Sequence, residues 1–281
     1  MSGRQSHIKQ AWKVSTAMGK DIYIHGIGSA EQERLTLLNR LTNQSFIDFL
    51  ALTDTRSILD IGSGLGILTE QVAELAPHST VCGIEYFAEQ LAATKARRRS
   101  NLHLLRGDAH RLPFKDEGFD LVYCRYVLEH VANPLQVLRE MYRVLRPAGK
   151  VCLQENNILV LVLYPDCPCF AAVWRQFARL QKQLGGDALI GKKLLPLLKA
   201  AGFQQSALSI APEVHYASTS TFRAWIENLI GNVRSGAEAL HKHRLATPGE
   251  IAEAIAELQA FMERDEASAF FYWNRASGLK V

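Results

Sequence analysis

Carboxylates at the ends of apolar runs, with glycines beside the first, set the chemistry available to this chain. Gly62, Gly64 and Gly66 alternate directly after Ile58-Leu59-Asp60-Ile61, and Asp60 stands two residues ahead of them. Glycines let a turn adopt φ > 0 and let a ligand touch bare backbone, as a nucleotide-like ligand requires at a strand–helix switch. A dinucleotide fingerprint, G-x-G-x-x-G, needs a glycine at 67, where this chain has Ile67. Glu85 closes a second run, Val81-Cys82-Gly83-Ile84. It follows the glycines by about 20 residues and can accept from both hydroxyls of a ribose. Asp108 closes a third, Leu102–Gly107, and Glu155 a later one, Lys150–Gln154.

These residues need strands and helices to hold them. The apolar runs predict strands near 58–61, 81–84, 102–107, 119–124 and 150–154. Between them fall helical spacings such as Leu135, Leu138, Met141, Tyr142 and Leu145. Asn133-Pro134 opens that helix, cap before proline. Upstream, Ser29 with Gln32 predicts a capping box for a helix carrying Leu35, Leu38 and Leu41 inward. Past residue 155, helices are expected near 169–184 and 187–201, a sixth strand ending near Val214, and a last strand at Phe270–Trp273. About 55 residues separate those two strands, more than a hairpin loop holds. Their helical spacing around Trp225 and across 250–263 predicts an insertion.

The glycine spacing with Asp60 resembles motif I of the class I S-adenosylmethionine (SAM)-dependent methyltransferases. The stretch from Arg125 to Val151, "RYVLEHVANPLQVLREMYRVLRPAGKV", resembles the subfamily that includes the ubiquinone/menaquinone C-methyltransferases (methyltransferase type 11). The resemblance is close over residues 55–155 and looser elsewhere. It implies a Rossmann-like α/β fold with a seven-stranded sheet, its last strand antiparallel. Residues 1–50 are then an N-terminal cap, 51–215 the SAM-binding core, 216–268 a helical lid and 269–281 the final strand. The cofactor is SAM, leaving S-adenosylhomocysteine. Cofactor-binding roles fall on Asp60, Gly62, Ser63, Gly64, Gly66, Glu85, Tyr86, Gln90, Asp108 and Ala109, with Asp108 receiving the adenine amino group. Tyr23-Ile24-His25-Gly26 resembles a segment that folds over the cofactor in some relatives. There Tyr23 can cover the sulfonium and Arg34 can pair with the methionine carboxylate. Arg125, at the site mouth, joins the cofactor set; it can bind an acidic acceptor group or pair with Glu129.

Methyl transfer from a sulfonium is an in-line substitution, to which positioning and water exclusion can contribute about 7–11 kcal/mol. Glu155 is the first candidate base, because burial would raise its pKa; His25 is the second. Tyr126, Tyr164, His215, Tyr216 and Trp225 are candidate acceptor contacts.

The remaining features narrow the field. A net charge of +4 over 281 residues is mild, and no basic, aromatic-interleaved stripe points to nucleic acid. Amino-group base methylation typically carries Asn/Asp-Pro-Pro-aromatic after the fourth strand, where this chain has Cys124-Arg125-Tyr126-Val127. A small-molecule acceptor is expected, with an RNA or nucleobase methyltransferase, or a SAM binder without turnover, as the rivals. Cys167 and Cys169 lack C-x-x-C spacing, and His241 and His243 sit two apart. No metal is expected. The first 20 residues lack an apolar leader and no run is long enough to span a bilayer. A cytoplasmic location without membrane contact is therefore expected, with oligomeric state left open.

Overall fold

The computed structural model describes Ile24, residues 28–94 and residues 99–281. Tyr23 and His25 lie outside the described residues. One sheet organises the chain. Strands β1 (Ser57–Ile61), β2 (Thr80–Glu85), β3 (Leu102–Arg106), β4 (Phe119–Arg125) and β5 (Leu145–Glu155) run parallel in the order β3-β2-β1-β4-β5. A short β6 (Val162–Tyr164) and a long pair, β7 (Gln204–Tyr216) and β8 (Ser268–Leu279), complete it. β8 lies antiparallel beside β5, and β7 antiparallel on its far side. Seven strands thus hold the doubly wound order expected. The eighth, β6, continues the track of β5 along β8, where Val162 pairs with Phe270.

Helices α1 (Ser29–Leu50), α2 (Ile67–Leu75), α3 (Ala88–Ala93), α4 (Pro134–Val144), α5 (Pro168–Gln183), α6 (Leu194–Ala201), α7 (Phe222–Lys242) and α8 (Pro248–Phe261) flank the sheet. Phe46 and Leu50 of α1 and Leu68 and Val72 of α2 cover one face, against Ile58 and Val81. Leu138 and Met141 of α4 and Leu194 and Leu198 of α6 cover the other. With both faces covered, β4 is buried at six of its seven positions, which explains its near-continuous apolar run. A third cluster joins α5, α7 and α8 to the protruding ends of β6 and β8. Among the described residues no helix is long and apolar enough to cross a membrane.

Two helix starts differ from expectation. Gly28, extended at φ −74° and ψ 176°, is the N-cap of α1, so Ser29 falls inside the first turn and forms no capping box. The capping box occurs instead at α8. There Thr247 and Glu250 exchange hydrogen bonds ahead of Pro248 at the first helical position.

Candidate active site

After β1 the chain turns through Gly62, Gly64 and Gly66 at φ 71°, 54° and 67°, values a side chain resists. The turn is fastened to β2. The Gly62 and Ser63 N–H groups both donate to the Ile84 carbonyl, at 2.8 and 2.9 Å. The Gly64 N–H donates to Glu85 Oε2 at 2.9 Å, and the Phe87 N–H to Oε1 at 2.9 Å. A Cβ on Gly62 would overlap Val127 Cγ2, and one on Gly64 would lie 3.2 Å from Gln90 Oε1. The turn is therefore a cradle floored by bare backbone. Ser63 Oγ is buried in it with no partner among the described residues.

Asp60 is buried beneath the cradle and accepts from Thr69 Oγ1 at 2.7 Å; burial pushes its carboxyl up to about 7. Burial also raises Glu85, while the backbone donors pull it back down. Asp108 stands two residues past β3, and its Oδ1 accepts the His110 N–H at 2.8 Å. Asp60, Glu85 and Asp108 line one cavity of about 330 Å³, together with Tyr86, Gln90 and Ala109.

The other end of that cavity lies between the sheet and the α5–α7–α8 layer, walled by Trp174, Phe177, Trp225, Phe271 and Trp273. Tyr126 also lines it, with its ring 4.4 Å from that of Trp273. Trp225 is 2% exposed, and its Nε1 has no partner among the described residues. Ile24, the described member of the Tyr23–Gly26 block, packs in the same layer and lines the cavity.

Several expected contacts fall elsewhere. Glu155 is fully buried but is not part of the cavity wall. Its Oε1 accepts the backbone N–H groups of Val127 and Leu128, each at 3.0 Å, and Oε2 accepts that of Glu129 at 3.4 Å. The carboxylate is spent on holding that turn. The carboxylate that faces the cavity is Glu129, whose Oε1 accepts from Asn156 Nδ2 at 2.7 Å. Burial pushes Glu129 up to about 7 and Glu155, with Glu129 beside it, up to about 8. Beside them burial holds the His130 imidazole down at about 3, hence neutral. Sequence reading did not assign Glu129 or Asn156 to the site, although Asn156 directly follows β5 and Glu129 stands four residues past β4, near the carboxyl ends of central strands where such folds bind ligands.

Tyr164 and Tyr216 lie on the outer face of the sheet, 61% and 49% exposed, away from the cavity. His215, on the inner face, stacks behind Trp225 at 4.5 Å and bonds Thr221 Oγ1 at 2.8 Å. Arg34 lines the cavity but its guanidinium is engaged by both oxygens of Glu31, at 2.5 and 2.7 Å, and by Asn228 at 3.1 Å. Arg125 bonds not Glu129 but α1: Asn39 at 2.8 Å, Asn43 at 2.6 Å and Thr42 at 3.2 Å.

A family described as a methyltransferase domain matches residues 59–153, the span that builds the cradle and its flanking strands. The chain thus carries a methyltransferase domain, and its fold is that of the class I SAM-dependent methyltransferases. Among curated methyltransferases, it is 29% identical to one of Schizosaccharomyces pombe described as uncharacterised, over 77% of this chain and 81% of that protein. It is 31% identical to the demethylmenaquinone methyltransferase of Lactococcus lactis, over 52% of this chain and 65% of that one. It spans about half of other demethylmenaquinone methyltransferases that it matches. The fold is also that of the Haemonchus contortus phosphoethanolamine N-methyltransferase 2 solved with S-adenosylhomocysteine. That match has a TM-score of 0.53 and 18% identity, and covers 89% of this chain and 53% of that one. The cradle suits the cofactor of this methyltransferase family. Bare backbone, the unsatisfied Ser63 Oγ and the carboxylates of Glu85 and Asp108 are what a ribose and an adenine amino group require.

Proposed function

We propose that this methyltransferase transfers the methyl group of SAM to a small-molecule acceptor bound between the sheet and the α5–α7–α8 layer. One observation carries the reading: a single cavity runs from the glycine cradle, past Glu129, to the aromatic wall. SAM supplies an electrophilic methyl on a sulfonium. Gly62, Ser63 and Gly64 give it bare backbone to lie against; Glu85 accepts from the ribose and Asp108 from the adenine. Helix α1 and residues 216–268 act as the lid around the core of 51–215 and 269–281, excluding water and aligning the acceptor. Trp225 Nε1 donates to an acceptor oxygen. Where the acceptor must lose a proton, Glu129 takes it, since a carboxyl poised near 7 is matched to neutral pH. No step calls for a metal, and the acceptor is not a nucleic acid.

Calorimetric titration of SAM and S-adenosylhomocysteine into wild type, Glu85→Ala and Asp108→Ala tests the cofactor half. Loss of a hydrogen bond to a charged group costs about 1.5–3 kcal/mol, so each variant should bind at least tenfold more weakly. Unchanged affinity in Glu85→Ala refutes the ribose assignment. Release of S-adenosylhomocysteine when labelled SAM meets a small-molecule extract tests the transfer; its absence across extracts leaves a SAM binder.

A further inference from the structure

The strands that wall the cavity on one face are bare on the other. Along β8, Ala269, Phe271 and Trp273 point into the helical layer and are buried. The alternate residues face outward. Near the carboxyl end of β8 that outer face is covered by α6, which packs with Phe203 and Ala276. Beyond α6 nothing in the described chain covers it. Ile210, Val214 and Tyr216 of β7, Val162 and Tyr164 of β6, and Phe270 of β8 are each between 45% and 61% exposed. The ladder brings them together: Val214 and Val162 flank Phe270 from either side, and Tyr216 and Tyr164 both pair with Ser268. Soluble monomers rarely leave so large an apolar patch open.

We infer that this outer face of β6–β8–β7 is where a second copy of the chain packs, face to face across a two-fold axis. Three observations select a second copy. The six side chains carry no charge, so the patch meets its own image without repulsion, and self-complementarity is what a two-fold interface requires. Its centre is wholly apolar, the composition of homodimer interfaces rather than of transient contacts between different proteins. Six large apolar side chains, each about half bare, expose roughly 600–700 Å². With a rim this approaches the about 800 Å² that each partner contributes to a stable interface.

Pro212 selects the geometry. It sits mid-way along β7, the outermost strand, opposite Tyr272, and removes a donor from the free edge. A strand added to that edge would meet a gap, so the copies stack by their faces and not by extending the sheet.

Sedimentation velocity and light scattering on the full chain from 1 to 100 µM test this. The mass should rise toward two chains of 31.4 kDa each. Val214→Glu with Phe270→Glu, placing four carboxylates in the apposed faces, should hold the mass at one chain. Leu75→Glu, at an equally exposed apolar position on α2, should leave association unchanged. Hydroxyl-radical footprinting of the wild type needs no substitution: oxidation of Tyr164 and Tyr216 should fall several-fold as association proceeds. A wild type that remains one chain at 100 µM overturns the inference. So does a dimer that survives the double variant, or one whose Tyr164 and Tyr216 stay fully reactive. Binding of a monomer to phosphatidylcholine vesicles, lost in the double variant, would overturn it and assign the face to lipid.

Discussion

Glu155 and Glu129 face opposite ways across one turn: Glu155 binds the turn's backbone from beneath while Glu129 projects from it into the cavity. The two carboxylates should therefore fail differently. Glu155→Ala strands two or three buried N–H groups and should lower stability by about 1–3 kcal/mol, visible as a lower melting temperature. Glu129→Gln keeps the Asn156 contact through its carbonyl oxygen and should melt near wild type. If the acceptor gives up a proton, its single-turnover rate should fall by about 10²–10⁴-fold at unchanged SAM affinity. A Glu129→Gln enzyme with wild-type rate would exclude it as the base.

The cradle depends on Gly62 for two separate reasons, its φ of 71° and the place of Val127 Cγ2. Gly62→Ala should lose about 1–3 kcal/mol of stability and bind S-adenosylhomocysteine more weakly. Removing the obstacle in the double variant Gly62→Ala, Val127→Ala should recover part of the affinity, leaving the backbone penalty. No recovery by calorimetry would mean that φ alone decides.

The core was legible because two periodicities agree. Apolar runs from β1 to β5 alternate with helical spacing, and three of them lead to residues that line the cavity: Glu85 at the end of β2, Asp108 two places past β3, and Arg125 at the end of β4. What sequence could not give was direction beyond a strand's last residue. Glu155 and Asn156 are neighbours, yet only the second reaches the cavity wall, because the Val127–Glu129 turn closes over the first. Helices α7 and α8 were readable from the spacing around Trp225 and across 250–263, but not which side of β7 met them. A strand's period of two puts His215 inside and Tyr216 outside, and a reading that assigned both to the acceptor overlooked that alternation.

Arg125 ties the end of β4 to α1. Its guanidinium bonds Asn39, Thr42 and Asn43 and lies over the rings of Phe46 at 5.5 Å and Tyr126 at 5.1 Å. A lysine offers one point charge in place of this planar fork. Arg125→Lys should therefore speed amide exchange across residues 35–43 of α1 and weaken cofactor binding several-fold, with the sheet's exchange unchanged. Identical exchange in α1 would show that its packing against α7 suffices to hold it.

The buried acids make stability depend on pH, and the sign follows from which state holds the protons. Asp60 moves from 3.8 to about 7, Glu129 from 4.5 to about 7 and Glu155 from 4.5 to about 8, each chiefly through burial. Unfolded, all three ionise below pH 5; folded, they keep protons up to pH 7–8. The folded state therefore binds more protons across that window, so stability falls as pH rises through it. His130 opposes this at lower pH. Its folded value of about 3 lies below the ordinary 6.5, so it costs stability below 6.5 and releases that cost as pH climbs through 6.5. Above about 7.5 the His130 contribution levels off, and from 6.5 upward the acids dominate. At about 1.4 kcal/mol per proton per pH unit, the apo protein should lose about 5 °C or more in melting temperature between pH 6.5 and 8.5. Glu129→Gln, which removes one of the three acids, should flatten the slope. A wild-type melting temperature that is level or rising over that range would mean these carboxyls ionise in the fold at ordinary values.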